Sequence, residues 1–365
     1  MTALHNLVVD LDVNDGERRA APPTEAADGR TLAWIDATFG GWWSSEATHG
    51  SNIIERRGDA PIGFVTMEQR GLQFRWLEGL ARERGVGTIG PIGVAPEERR
   101  NGIGRHLLRS GLQELRERGF QRALITAVGG ESLVQWYAGA VGARVAETFD
   151  REALLAPPPR TIVLASGHGS NFQAILDARA AGGLPIDIAG LIVNDASAFA
   201  IERARNAGVP ASVIQWERAQ EQRREFDRRL LDAAHGFEPD LVLLLGWMHL
   251  LDDSFVAAFP ETLNLHPSFL PLDPQSDCVT CPDGTEIAAF RGAHAVRDAL
   301  SAKSRWVGAT VHRVTRATDR GPVMARFPLR TEPNELEGDL MPRVHAAEHK
   351  LVPAAITRWL FERSA

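Results

Sequence analysis

The chain is poor in cysteine, lysine and tyrosine, and each shortage removes a class of chemistry. Its two cysteines, Cys278 and Cys281, form one Cys-x-x-Cys pair and cannot build a disulfide framework. Lys303 and Lys350 are its two lysines. Neither follows a glycine-rich phosphate loop, which excludes a Walker-type NTPase, and neither sits in a motif suited to a Schiff base. Positive charge comes almost entirely from arginine, which reflects genomic bias rather than chemistry. Excess basic charge is also missing: the formal net charge is −7 at pH 7. A phosphate backbone selects basic surfaces, so nucleic acid is excluded as the main partner, while a local basic pocket for a small phosphorylated ligand is not. The most apolar run, Leu241 to Met248, is far too short to span a bilayer. No early stretch has the charged-then-apolar form of a signal peptide. The expectation is a cytoplasmic protein without a membrane partner.

What is present is ordinary for globular protein: 365 residues, 44% hydrophobic and 24% charged. That length exceeds what one core usually serves, so two domains are expected. The run Ala156-Pro157-Pro158-Pro159-Arg160 can continue neither a helix nor a central strand and reads as a stiff spacer. The expected division is a domain over 1–155, a linker over 156–160 and a domain over 161–365. The first thirty residues, with Ala21-Pro22-Pro23-Thr24, suggest no element, and no first strand is evident.

Hydrophobic patterning predicts a helix over Leu32–Trp43, then strands over Ile53–Arg56 and Ile62–Met67 about a turn at Arg57-Gly58-Asp59-Ala60-Pro61. A strand over Gly87–Val94, an amphipathic helix over Ile103–Gly119 and a strand over Arg122–Val128 follow. Beyond the prolines, strands at Thr161–Ser166, Ile186–Val193, Val213–Ile214 and Asp240–Leu245 alternate with helices opening near Asn171, Ala198 and Arg224. Continuous apolar strands joined by helices imply a mainly parallel, doubly wound α/β sheet with ligands beyond its strand ends.

Three clusters in the second half could carry chemistry. Ser166-Gly167-His168-Gly169-Ser170-Asn171 joins a strand to a helix, where backbone N–H groups can hold phosphate. Alone, such a turn is structural as often as it is a binding site. In Thr262-Leu263-Asn264-Leu265-His266-Pro267, Asn264 and His266 share one strand face, where an amide and an imidazole can stabilise an oxyanion. By itself this pair is more often a capped strand end before a proline-rich turn. Val307-Gly308-Ala309-Thr310-Val311-His312 leads to Asp319 in a turn, where aspartate is usually a turn former.

Together the motifs are specific. Gly-x-Gly-Ser-Asn-x-Gln-Ala-Ile, Leu-Asn-x-His-Pro-Ser-x-Leu-Pro, Gly-Ala-Thr-Val-His and Asp-x-Gly-Pro-Val follow one another, and the stretch from Val344 to Pro353 closes the pattern. Over roughly 160–365 the chain resembles the phosphoribosylglycinamide formyltransferases. The resemblance implies a catalytic trio of Asn264, His266 and Asp319, and a phosphoribose site at Gly169, Ser170, Asn171 and Glu348. It implies folate-binding positions at Arg223, Met248, His249, Leu250 and Leu251, beside Asn264, and 10-formyltetrahydrofolate as co-substrate, with no metal. His249 stands where that family often has arginine. The segment from Leu272 to Ala289 is longer than usual and holds the cysteine pair, which supplies two of the four ligands a zinc site needs and reads as a turn.

In the first half, Val94-Ala95-Pro96-Glu97-Glu98-Arg99-Arg100-Asn101-Gly102-Ile103-Gly104 joins a strand to the amphipathic helix, with glycines where N–H groups could wrap a diphosphate. It resembles the Arg-x-x-Gly-x-Gly signature of the GCN5-related N-acetyltransferases over roughly 30–150. That implies acyl-CoA held by Val94, Arg99, Arg100, Asn101, Gly102, Ile103 and Gly104. Trp136-Tyr137 matches a segment whose tyrosine protonates the leaving thiolate; the alternative is a packed aromatic. The expected protein is a fusion acting on glycinamide ribonucleotide, folate and acyl-CoA. The alternatives are formyl transfer to a sugar nucleotide or hydroxylated amine, and a first half that senses acyl-CoA without catalysis. Each half has its own phosphate loop, so independent units joined by the prolines are expected.

Overall fold

A computed structural model of the chain describes residues 3–11, 22–69 and 72–363. Two sheets organise it. The first half contains β1 (Leu4–Asp10), α1 (Gly29–Phe39), α2 (Trp43–His49), β2 (Ser51–Arg57), β3 (Ala60–Met67), β4 (Val86–Val94), α3 (Ile103–Glu117), β5 (Arg122–Gly129), α4 (Glu131–Val141), β6 (Arg144–Phe149) and the single turn α5 (Arg151–Leu154). Its six strands run in the order β2-β3-β4-β5-β1-β6. The first strand is therefore there: β1, which the sequence pattern did not reveal, lies between β5 and β6 and is antiparallel to both. Most of its residues are buried, so it reads as a short apolar run and not as an alternation. The helix expected over Leu32–Trp43 is two, α1 ending at Phe39 with Gly40 as its cap and α2 beginning at Trp43. Residue 21 of the early proline segment lies outside the described residues.

The second half contains β7 (Arg160–Ala165), α6 (Ser170–Ala180), β8 (Asp187–Val193), α7 (Ala200–Asn206), β9 (Ala211–Val213), α8 (Arg223–His235), β10 (Leu241–Leu244), α9 (Asp253–Ala258), β11 (Thr262–His266), β12 (Cys278–Thr280), β13 (Glu286–Ala288), α10 (Ala295–Ser301), β14 (Trp306–Arg313), β15 (Val323–Arg330) and α11 (Glu337–Arg363). Its seven-stranded sheet runs β15-β14-β11-β10-β7-β8-β9. From β9 to β11 neighbours are parallel, and β14 and β15 add two antiparallel strands. The inner parallel strands β7, β8, β10 and β11 are largely buried, which explains their continuous apolar character, while β9 at the sheet edge is largely exposed. The loops after β7, β10 and β11 leave the sheet at one edge, the carboxyl ends of adjacent parallel strands. No helix among the described residues is long and apolar enough to cross a membrane.

The halves do not touch through the prolines alone. Leu72, Phe74, Trp76 and Leu77 belong to the same buried cluster as Trp359, Leu360 and Phe361 of α11. Trp76 meets Phe361 edge-on, ring centroids 5.0 Å apart. Arg326 of β15 donates to Asp36 of α1 at 2.7 Å, with both side chains buried. Arg358 of α11 donates to Ser45 of α2 at 2.9 Å. The long segment between Leu272 and Ala289 has a role here: β12 and β13 form a hairpin whose Val279 packs with Ala33 of α1, while Arg30 donates to the Pro282 carbonyl at 3.3 Å. The two sheets thus share a packed, charge-paired interface beyond the proline run.

Candidate active sites

Along β11, Leu263 and Leu265 enter the core, which turns Asn264 and His266 to the opposite face. Asp319 reaches them from the connection between β14 and β15. Its backbone is left-handed, with φ of +53°, a conformation aspartate tolerates better than most residues. The next glycine has a different reason: a Cβ on Gly321 would lie 1.7 Å from the Arg313 carbonyl oxygen. Asn264 Nδ2 donates to Asp319 Oδ1 at 3.3 Å, and the Gly292 N–H donates to Asp319 Oδ2 at 2.8 Å. His266 Nδ1 lies 3.5 Å from Oδ2, and His312 Nε2 lies 3.4 Å from Oδ1. Burial alone would raise the Asp319 carboxyl, but the His312 hydrogen bond, the His266 charge and the Gly292 N–H reverse this and hold it at about 2.

The His266 ring has acceptors at both nitrogens, since Nε2 faces the Phe290 carbonyl at 2.9 Å. A carbonyl only accepts, so Nε2 carries a proton, and Nδ1 is the atom that titrates against Asp319. Burial pulls the imidazole below its ordinary range, and the Asp319 charge opposes that pull without cancelling it. The three expected catalytic side chains are therefore brought together around one ionised carboxylate.

The phosphate loop lies after β7. Gly169 caps the start of α6 with φ of +71°, and a Cβ there would sit 2.8 Å from the Ala200 Cβ. Asn171 Nδ2 donates to Glu348 Oε2 at 2.8 Å, which ties the loop to α11. Burial raises the Glu348 carboxyl, against the Asn171 hydrogen bond and the His345 charge. The buried Asn171 Oδ1 and His349 Nε2 have no protein partner, so the site retains unused hydrogen-bonding capacity. Beside the loop, Arg203 donates to the His168 carbonyl at 2.9 Å and to Gln173 Oε1 at 3.0 Å.

The expected folate positions gather at the neighbouring strand end. The Met248 N–H donates to Ser166 Oγ at 3.0 Å, joining the loops after β10 and β7. Met248 and Leu250 are exposed apolar side chains. Arg223 pairs with Asp227 at 2.7 Å, donates to the Leu250 carbonyl and lies over the Trp216 ring at 5.0 Å. His249 packs among Trp216, Phe226 and Trp247, with centroids between 5.2 and 5.9 Å. Burial lowers its pKa, as do the charges of Arg223 and Arg218. Where the resembling family often has a fixed cation, this chain has a ring held toward its neutral form.

In the first half, β4 and β5 pair in parallel only over Val86–Ile89 and Arg122–Ile125. Beyond that pairing lies a cleft of about 880 Å³. Val94, Arg99, Arg100, Gly102, Ile103 and Gly104 line it; Asn101, alone of the expected loop, does not. Gly102 caps the start of α3. Tyr137 lines the same cleft, and burial pushes its phenol up to about 12.

Both halves of the chain match known families. Residues 159–356 match the formyl transferase family, and residues 17–142 match the acetyltransferase (GNAT) family. The chain is 34% identical over 197 residues to the phosphoribosylglycinamide formyltransferase of Escherichia coli (strain K12), covering 54% of this chain and 84% of that protein. It is 35% identical over 200 residues to the enzyme of the same name from Mycobacterium tuberculosis (strain ATCC 25618 / H37Rv), with the same coverage. Among solved structures, glycinamide ribonucleotide transformylase 1 from Symbiobacterium toebii is 34% identical, covering 59% of this chain and 91% of that one, at a TM-score of 0.49. The chain belongs to the formyl transferase family. An N-terminal GNAT acetyltransferase domain is fused to its formyltransferase domain.

Within the formyltransferase domain, the sequence pattern did not single out several residues that the fold places in or beside the site. His312 ended a recognised motif but was assigned no role; its place opposite Asn264 in the β11–β14 register was the available signal. Phe290 and Gly292 contact His266 and Asp319 just where the family pattern resumes after the β12–β13 hairpin. Arg203 had no motif to announce it.

Proposed function

We propose that the formyltransferase domain transfers the formyl group of 10-formyltetrahydrofolate to the amine of glycinamide ribonucleotide, a step of de novo purine synthesis in the cytoplasm. The observation that carries this reading is the Asp319 carboxylate, with Asn264 at 3.3 Å and His266 at 3.5 Å, at the same sheet edge as the Asn171–Glu348 pair with only the end of β10 between them. In this reading the amine attacks the formyl carbon, and Asn264 and His266 meet the oxyanion that forms, His266 taking the attacking nitrogen's proton on Nδ1 as the negative charge develops. Asp319, ionised in the resting site, supports the proton on Nδ1 as negative charge develops nearby. It also helps carry a proton from the attacking to the leaving nitrogen, directly or through water. Gly169, Ser170 and Asn171 hold the acceptor's phosphoribose, with Arg203 as the adjacent cation and Glu348 on the acceptor. Arg223 and Met248–Leu251 hold the folate. We place the domain limits at 1–155 and 161–365.

For the GNAT domain we propose N-acyl transfer from acyl-CoA, with the loop from Arg99 to Gly104 on the diphosphate and Tyr137 as donor to the leaving thiolate. A phenol held near 12 keeps its proton at neutral pH, as that role requires.

The test of the formyl-transfer reading is Asp319→Asn. The variant keeps the shape of the side chain, so the fold should persist. Formyl transfer should fall by at least about a hundredfold in kcat, the scale of a positioned proton-transfer group. Near-normal turnover in the folded variant removes the assignment.

A further inference from the structure

The GNAT cleft has a second wall that the cofactor loop does not explain. Trp42, Trp43, Trp76 and Phe361 all line it. Phe361 belongs to α11 of the formyltransferase domain, so the cleft is completed by the other half of the chain. Two carboxylates also line it. Glu98 is neutralised by Arg57 at 2.6 Å. Glu46, on α2, is buried and forms no ion pair among the described residues; Arg358 of α11 acts on it only at longer range.

Resting on the acyl-CoA reading of this domain, we propose that the cleft acylates a primary amine carried on an aromatic or otherwise apolar body, with Glu46 accepting the proton that the amine nitrogen loses. Three features of the cleft define that acceptor. Indole and phenyl faces favour flat apolar groups and attract an ammonium, whereas a heavily hydroxylated acceptor would lose its hydration without replacement hydrogen bonds. A single carboxylate without an ion-pair partner among the described residues provides one cationic anchor. The three arginines that line the cleft, Arg99, Arg100 and Arg105, sit on or just after the diphosphate loop and serve the cofactor.

The chemistry balances with groups already in the cleft. The bound ammonium first gives one proton to solvent; the neutral amine nitrogen then attacks the thioester carbon, the carbon–nitrogen bond forms and the carbon–sulfur bond breaks. Glu46 takes one proton from the nitrogen, Tyr137 gives one to the thiolate, and solvent restores both residues. Burial raises the Glu46 carboxyl to about 7, with the Arg358 charge and a Trp42 side-chain hydrogen bond working against the rise. A base in that range both accepts a proton and returns it near neutral pH.

The experiment uses the full chain with acetyl-CoA and four amines: 2-phenylethylamine, tryptamine, glucosamine and glycinamide. Thiol release and the mass of the acetylated product are followed, and acetyl-CoA binding is measured by calorimetry. The two aromatic amines should be acetylated with kcat/KM at least about tenfold above the other two. Glu46→Gln, which removes a buried charge without changing shape, should lower kcat about a hundredfold and leave the acetyl-CoA Kd unchanged. Equal turnover of glucosamine and the aromatic amines overturns the acceptor class, and unchanged kcat in Glu46→Gln overturns the base. Firm acetyl-CoA binding without acetylation of either aromatic amine removes this proposal and spares the acyl-CoA reading. No acetyl-CoA binding removes both.

Discussion

Asp319 gathers an amide, two imidazoles and a backbone N–H about one carboxylate, and most of the formyltransferase site's electrostatics follows from that crowding. Its depressed pKa of about 2 keeps it ionised at any pH where the protein would be assayed. His266 titrates differently, because its pKa is lowered in the folded state while the unfolded side chain returns to about 6.5. Below that value the unfolded chain binds the proton more readily, so this residue's contribution to stability is present at higher pH and is lost as pH falls through 6.5. Urea unfolding between pH 5 and 7.5 should show wild-type stability declining toward acid, with a smaller slope in His266→Gln. Equal slopes would mean that His266 is not a buried, proton-resisting group. At His249, packing among aromatic rings beside Arg223 accounts for an imidazole at this position, since a second guanidinium would add like charge to the same cluster.

The strand-to-helix junction at Gly169 is where an element constrains chemistry most tightly. Its positive φ and the 2.8 Å approach to Ala200 leave no room for a side chain. Gly169→Ala should therefore displace the N–H groups at the start of α6. The KM for a phosphorylated acceptor should rise by about tenfold or more, the scale of one lost charge-assisted contact, while folate binding changes little. An unchanged KM would show that the loop does not hold the phosphate. This junction was legible in the sequence, as were Asn264 and His266, because their positions follow from local spacing on one strand and one turn. The parallel strands were legible too, since burial on both faces leaves a continuous apolar run. What escaped notice depended on distant pairing. Strand β1 has no amphipathic signature and finds its place only between β5 and β6. His312 gains meaning from the strand opposite it, and the β12–β13 hairpin from a helix some two hundred and fifty positions earlier in the chain, as the Arg30–Pro282 contact records (|i−j| = 252).

Across the whole molecule, the proline run marks a change of sheet rather than a gap between bodies. The buried Asp36–Arg326 pair crosses the interface at 2.7 Å, and burial holds the Asp36 carboxyl at about 6 against the attraction of Arg326 and a Ser44 hydrogen bond. Removing one partner of such a pair strands the other charge. Asp36→Ala should destabilise the protein by about 3–5 kcal/mol in equilibrium unfolding; a loss below about 1 kcal/mol would show that the interface does not depend on it. The shared wall at Trp76 and Phe361 further links the GNAT cleft to the formyltransferase helix. The identity of the formyl acceptor can be asked directly of the purified chain. With 10-formyltetrahydrofolate in excess, glycinamide ribonucleotide, a sugar nucleotide amine and a hydroxylated amine are compared by mass of the formylated product. Rapid formylation of glycinamide ribonucleotide, with the other two slower by at least about a hundredfold, is the expected result. Efficient formylation of either rival with glycinamide ribonucleotide left unmodified would contradict it.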